Sequence, residues 1–113
     1  AGDVVQGNNA VAVGSSAGQD TQGIAAVAIG NFAGQNYQAS SAVAIGSQAG
    51  KNSQGNYAVA IGNSAGYLNQ FQNSIILNAS GSQLNNATVA GFFVSPCIPH
   101  GVYVKMPFWL ETT

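Results

Sequence analysis

Charge is what this sequence lacks most. Of 113 residues only five are reliably ionised: Asp3, Asp20, Lys51, Lys105 and Glu111. That is 4%, against about 25% in an ordinary soluble domain, so solubility must rest on Asn, Gln, Ser and Thr. With a net charge of −1 there is no basic patch of the kind that binds nucleic acid. Nor is there a polybasic run to dock on a membrane surface. Cys97 is the sole cysteine and cannot form an intrachain disulfide; it is expected as a small buried hydrophobe. Long apolar runs are missing too. The stretch from Val102 to Leu110 is short and interrupted by Pro107, whereas a spanning helix needs about 20 apolar residues. No membrane insertion is expected.

The acidic residues are too few and scattered for catalysis. Paired-carboxylate chemistry needs two carboxyl groups at a fixed separation, and a calcium-binding solenoid needs recurrent Asp in its turns. The turn positions here carry Asn, Ser and Gln. His100 is the single histidine, read as a solvated or capping residue. The expectation is a non-enzymatic chain with no cofactor, no metal and no nucleic-acid partner. Thr21, Thr88, Thr112 and Thr113 make no regular array of the kind an ice-binding face requires.

What the sequence has is a repeat. Ala-Val-Ala-Val-Gly at 10–14 recurs as Ala-Val-Ala-Ile-Gly at 26–30, 42–46 and 58–62, a period of 16 without insertion. Ser74-Ile75-Ile76-Leu77-Asn78 is a divergent fifth copy. Ala-Gly pairs follow at 17–18, 33–34, 49–50 and 65–66, and Gln opens each coil at 6, 22, 38, 54 and 70. Ala1-Gly2 falls in phase with the Ala-Gly pairs, so the array is expected to have further coils upstream. Alternation of Val or Ile with Ala is period two, a strand signal, and the glycines would interrupt any helix. Each coil therefore reads as a short strand, a Gly turn, a polar strand and a second turn. Asn78 replaces the turn glycine in the last copy, which predicts a left-handed backbone there as well.

Sixteen residues make a flattened, two-sided coil, and stacked coils lie roughly 4.8 Å apart. Equivalent residues then stand above one another. Two like charges at that spacing repel by about 0.9 kcal/mol in water and about 3.5 kcal/mol at an effective dielectric of 20, which accounts for the missing charges. A Gln column does the reverse, since each amide can donate to its neighbour.

The large side chains suggest the core. Val11, Val27, Val43, Val59 and Ile75 are expected to stack in one interior column, and Val13, Ile29, Ile45, Ile61 and Leu77 in the next. Two large residues per coil are little to hold a lone roll together. The opposite face of the same strand carries Ala10, Ala12, Ala26, Ala28, Ala42, Ala44, Ala58 and Ala60, a flat surface suited to a second copy of itself. These alanines are the expected interface between chains. Phe32, Tyr37, Tyr57, Tyr67 and Phe71 interrupt the repeat at different coil positions and are candidate surface contacts for a glycan or receptor. Asn78-Ala79-Ser80 and Asn86-Ala87-Thr88 fit the N-glycosylation pattern.

The Asn/Ser-Ala-Val-Ala-Ile-Gly coil with Gly turns resembles the head repeats of YadA-like trimeric autotransporter adhesins. It is more similar still to repeats of phage and large-DNA-virus fibre-like proteins. In those, coils like residues 22–37 end in segments resembling 73–82 and then 90–96. The resemblance covers roughly residues 1–96. It implies an all-β fold, a left-handed parallel β-roll assembled as a homotrimer, at an extracellular or virion surface. Some of those relatives carry a C-terminal self-cleaving chaperone domain, which this sequence does not contain. The division expected is a solenoid array over 1–85 and a C-terminal cap and trimerisation segment over 86–113. Function is expected as a structural fibre or adhesin segment for host attachment. The alternative is a filament, capsid or matrix component that contacts no receptor.

Overall fold

In the computed structural model, which describes residues 1–86 and 88–97, the sixteen-residue period becomes one turn of a parallel β-solenoid of about six turns. The strands are β1 (Val5–Gln6), β2 (Val11–Val13), β3 (Thr21–Gln22), β4 (Val27–Ile29), β5 (Val43–Ile45), β6 (Val59–Ile61), β7 (Ser74–Asn78) and β8 (Gly91–Ser95). They form two walls. One is a six-stranded sheet in the order β2-β4-β5-β6-β7-β8. The other begins with β1 and β3 and continues as the parallel bridges Gln22↔Gln38 and Gln38↔Gln54. We refer to these as the strand wall and the glutamine wall.

Pairing is in register from rung to rung. Val11 lies beside Val27, Val27 beside Val43, Val43 beside Val59 and Val59 beside Ile75. The stacking expected of these columns is therefore observed, but they face the other way. Val11, Val13, Ile29, Ile61 and Ile75 are exposed in the single chain, and Val27, Val43, Ile45, Val59 and Leu77 are half-buried. The interior belongs to alanine. Ala26, Ala28, Ala42, Ala44, Ala58 and Ala60 are completely buried within their own chain, and Ala10 and Ala12, on the first coil, are half-buried. The alanines thus cannot serve as the interface between chains, and the Val/Ile columns are not the core.

The physical reason is the width of the roll. A Cβ placed on Gly50 would lie 3.1 Å from the Ala44 Cβ and 2.8 Å from Gln54 Cδ. The interior is filled by Ala28, Ala44 and Ala60 against Ala33, Ala49 and Ala65. Interiors of this density have no room for extra methyl groups, so β-branched residues can occupy only the outer face of the same strand. Towards the C-terminal end the interior column grows: Ala60 pairs with Ile76, which is fully buried, and Ile76 with Phe93, which packs against the core.

Glutamine supplies what alanine cannot. Gln22, Gln38, Gln54 and Gln70 are buried. Each Nε2 from Gln6 to Gln54 donates to the Oε1 of the next, at 3.0–3.2 Å. From Gln22 onward, each also donates across the interior to a carbonyl of the strand wall: Val11, Val27, Val43 and Val59, at 2.7–2.9 Å. Among the described residues no buried side-chain polar atom lacks a partner.

Turns repeat with the coil. Gly14, Gly30, Gly46 and Gly62 have φ of 116–126°, and a Cβ on Gly30 would stand 2.8 Å from the Gly46 carbonyl, so both conformation and close approach require glycine. Asn78 does not share the positive φ. It ends β7, and its side chain bonds to Asn63 O and to Ser80 and Ser82 instead. Two further left-handed columns have no glycine at all: Asn9, Ala25, Ser41, Tyr57 and Asn73, with φ of 58–62°, and Ser16, Phe32, Gln48 and Ser64, with φ of 56–64°.

Ser74 pairs with Gly91, one residue beyond the sixteen-residue step. The segment after residue 85 therefore contributes a sixth rung of the strand wall. The rest of the expected cap, including His100 and residues 98–113, lies outside the described residues. Cys97 is exposed rather than buried, its Sγ directed at Val94 O.

Candidate functional site

Alternation puts every second side chain of the strand wall outside. Two outward columns result: Val11, Val27, Val43, Val59, Ile75 and Phe92, and beside it Val13, Ile29, Ile45, Ile61, Leu77 and Val94. Six rungs at the usual spacing give a stripe roughly 24 Å long, without one charged or polar side chain in either column. Phe92 is 59% exposed. At the C-terminal end a shallow hollow lies between Ile61, Leu77, Val94 and Pro96. Phe92 and Val94 belong to the stripe although the sequence expectation assigned them to a cap. Their signal is the large-x-large spacing shared with Ile75 and Leu77, masked by the one-residue lengthening of the last coil.

The five candidate aromatic contacts separate into three places. Phe32 and Tyr67 enclose Lys51, whose Nζ is 4.9 Å from one ring centroid and 5.3 Å from the other; it also donates to Tyr67 Oη at 3.4 Å. This cation–π arrangement fixes the cation within the column Asp3, Gln19, Gln35, Lys51 and Tyr67. Tyr57 stands alone on its turn, exposed. Tyr37 and Phe71 lie on the outer face of the glutamine wall and line one open groove of about 480 Å³, together with Ser53, Gly55, Asn56, Asn69 and Gln72.

Neither glycosylation pattern presents a free asparagine. Asn78 and Asn86 are both buried, and their amide nitrogens donate to Asn63 O and Val89 O respectively. Among the described residues no three His, Cys, Asp or Glu side chains come together as a metal site. No helix among them is long and apolar enough to cross a membrane.

The fold and these surfaces define a β-solenoid repeat protein with one apolar outer face. No family model matches the chain, and no curated protein or solved structure is significantly similar to it.

Proposed function

We propose that this chain is a non-enzymatic segment of a fibre or adhesin, a parallel homotrimer of β-rolls that serves surface attachment from an extracellular or virion surface. The observation that carries the reading is the uninterrupted double column from Val11 and Val13 to Phe92 and Val94. Contiguous apolar surface on one face of a soluble chain marks an interaction site. Because the columns repeat in register, a second copy in parallel meets the same residues rung by rung, as cyclic symmetry requires. The interface is thus the Val/Ile face, not the alanine face. Three such stripes converging on one axis make a continuous apolar core for the assembly. The resemblance to trimeric adhesin and fibre repeats supports three chains and left-handed winding.

Sedimentation equilibrium tests this. A species of three times the 11.4 kDa chain mass is expected, and Val43→Glu should reduce it to folded monomer, since three charges would be buried unpaired near the axis. A parent chain that remains monomeric or dimeric overturns the trimer. A purely structural filament, capsid or matrix role would need the stripe alone. A glycan-array screen separates the two, with specific binding favouring attachment.

A further inference from the structure

The outer face of the glutamine wall carries a site of a different kind from the stripe. Its rungs are short triplets with a buried Gln at the centre: Tyr37-Gln38-Ala39, then Ser53-Gln54-Gly55, then Asn69-Gln70-Phe71. Tyr37, Ala39, Ser53, Gly55, Asn69 and Phe71, which flank those glutamines, line the open groove on the outside of the wall. Tyr37 and Phe71 therefore stand at diagonal corners, two rungs apart along the roll and two residues apart across it, roughly 12 Å in all, over a middle rung that adds only Ser53 and Gly55 beside its glutamine. The floor is firm, because a Cβ on Gly55 would meet Gln72 N at 2.5 Å. Around it stand Asn56, Asn69 and Gln72, whose side-chain amides make no hydrogen bond to other described residues. Among the described residues no charged side chain lines the groove.

We infer that this groove binds a neutral oligosaccharide, with Tyr37 and Phe71 as stacking platforms and Asn56, Asn69 and Gln72 as hydroxyl-reading amides. The inference rests on the attachment reading and assigns that reading a ligand class and a location. Pyranose rings offer apolar C–H faces to aromatic rings and hydroxyls to groups that both donate and accept, which is what amides do. The absence of any cation among the described lining residues disfavours phosphate, nucleic acid and sialic acid. An extended peptide adding as a strand is not served either. The wall's backbone groups here are already paired between coils, as in Gln54 N to Tyr37 O and Gly55 N to Gln70 O. The location is compatible with assembly. Gln38 reaches through the interior to the strand wall, so the outside of the glutamine wall faces away from the apolar stripe.

Saturation-transfer NMR on the full chain, with α- and β-linked neutral hexose trisaccharides and a sialylated trisaccharide for comparison, tests the site. Transfer to ring C–H protons of at least one neutral trisaccharide is expected. Tyr37→Ala and Phe71→Ala should each weaken its binding by roughly tenfold, equivalent to ~1.4 kcal/mol, and Tyr57→Ala should leave it unchanged. Phe71→Ala returns that position to the Gly and Ala character of its column (Gly23, Ala39, Gly55), so folding is retained; Tyr37 is 58% exposed and decides independently. The inference is overturned if no neutral trisaccharide binds, if the sialylated one binds better, or if both groove variants bind like the parent. Sedimentation of the same samples keeps the two readings apart. A trimer without saccharide binding removes this inference alone, and a saccharide-binding monomer removes the trimer alone.

Discussion

The side-chain amide of Gln38 donates to the carbonyl of Val27 from the opposite wall, at 2.7 Å, while its oxygen accepts from Gln22. The roll is too narrow for large apolar residues, and this buried amide column joins its two walls where a conventional core would. Gln38→Leu would leave Val27 O, Gln22 Nε2 and Gln54 Oε1 each short of a partner. Buried groups left unsatisfied cost about 1–3 kcal/mol apiece, so an overall loss of roughly 3 kcal/mol is expected in chemical denaturation. A loss under ~1 kcal/mol would show that the ladder is dispensable.

Gln38→Glu separates accepting from donating. A carboxylate can accept from Gln22 but faces the Val27 and Gln54 oxygens with no proton to offer. Burial and those oxygens raise its folded pKa above the unfolded value of about 4.3. Stability relative to the parent is then fullest below that unfolded value and falls as pH rises through the folded one. The difference in melting temperature between variant and parent should therefore widen from pH 4 to pH 7. A constant difference would mean that water reaches the site.

Ala44→Val tests the width of the interior. Overpacking a filled core costs typically about 1–3 kcal/mol, and Gly50 and Gln54 leave no path for relaxation. Val43→Ala, one residue away on the outer face, should alter the fold of a single chain much less and affect association instead. Ala28→Glu should unfold its coil, since it places a charge inside the roll. Circular dichroism melts together with sedimentation distinguish loss of fold from loss of assembly.

Ala25→Gly should stabilise. Ala25 is exposed and holds φ at 58°, a conformation that costs an L-residue roughly 1–2 kcal/mol. Glycine removes that cost but loses more chain entropy on folding. A net gain of up to ~1 kcal/mol, read as a melting temperature higher by about 4 °C, is the expected outcome. An unchanged or lower value would show that the turn is not strained at this position.

The residues alone specified the period, the strand class, the parallel stacking, the stacked Gln column and the glycine turn after β2, β4, β5 and β6. All of these are properties of one coil repeated in phase, and a period of 16 held through four intervals fixes which residues become neighbours. What the alternation of Val27, Ala28 and Ile29 could not express is which side is in. Period two separates two faces but does not label them, and the usual preference for burying the larger side chain points the wrong way here. Only the distance between the walls, visible in the contact of Gly50 with Ala44 and in the reach of Gln38 to Val27, decides that alanine fits inside and that Val and Ile must face outward. The same holds for the groove. Tyr37 and Phe71 are 34 positions apart and out of phase by two residues, so no column joins them. Winding the chain sets them two rungs apart on one face, with the smallest residues of the wall between them, and that juxtaposition exists only in the folded roll.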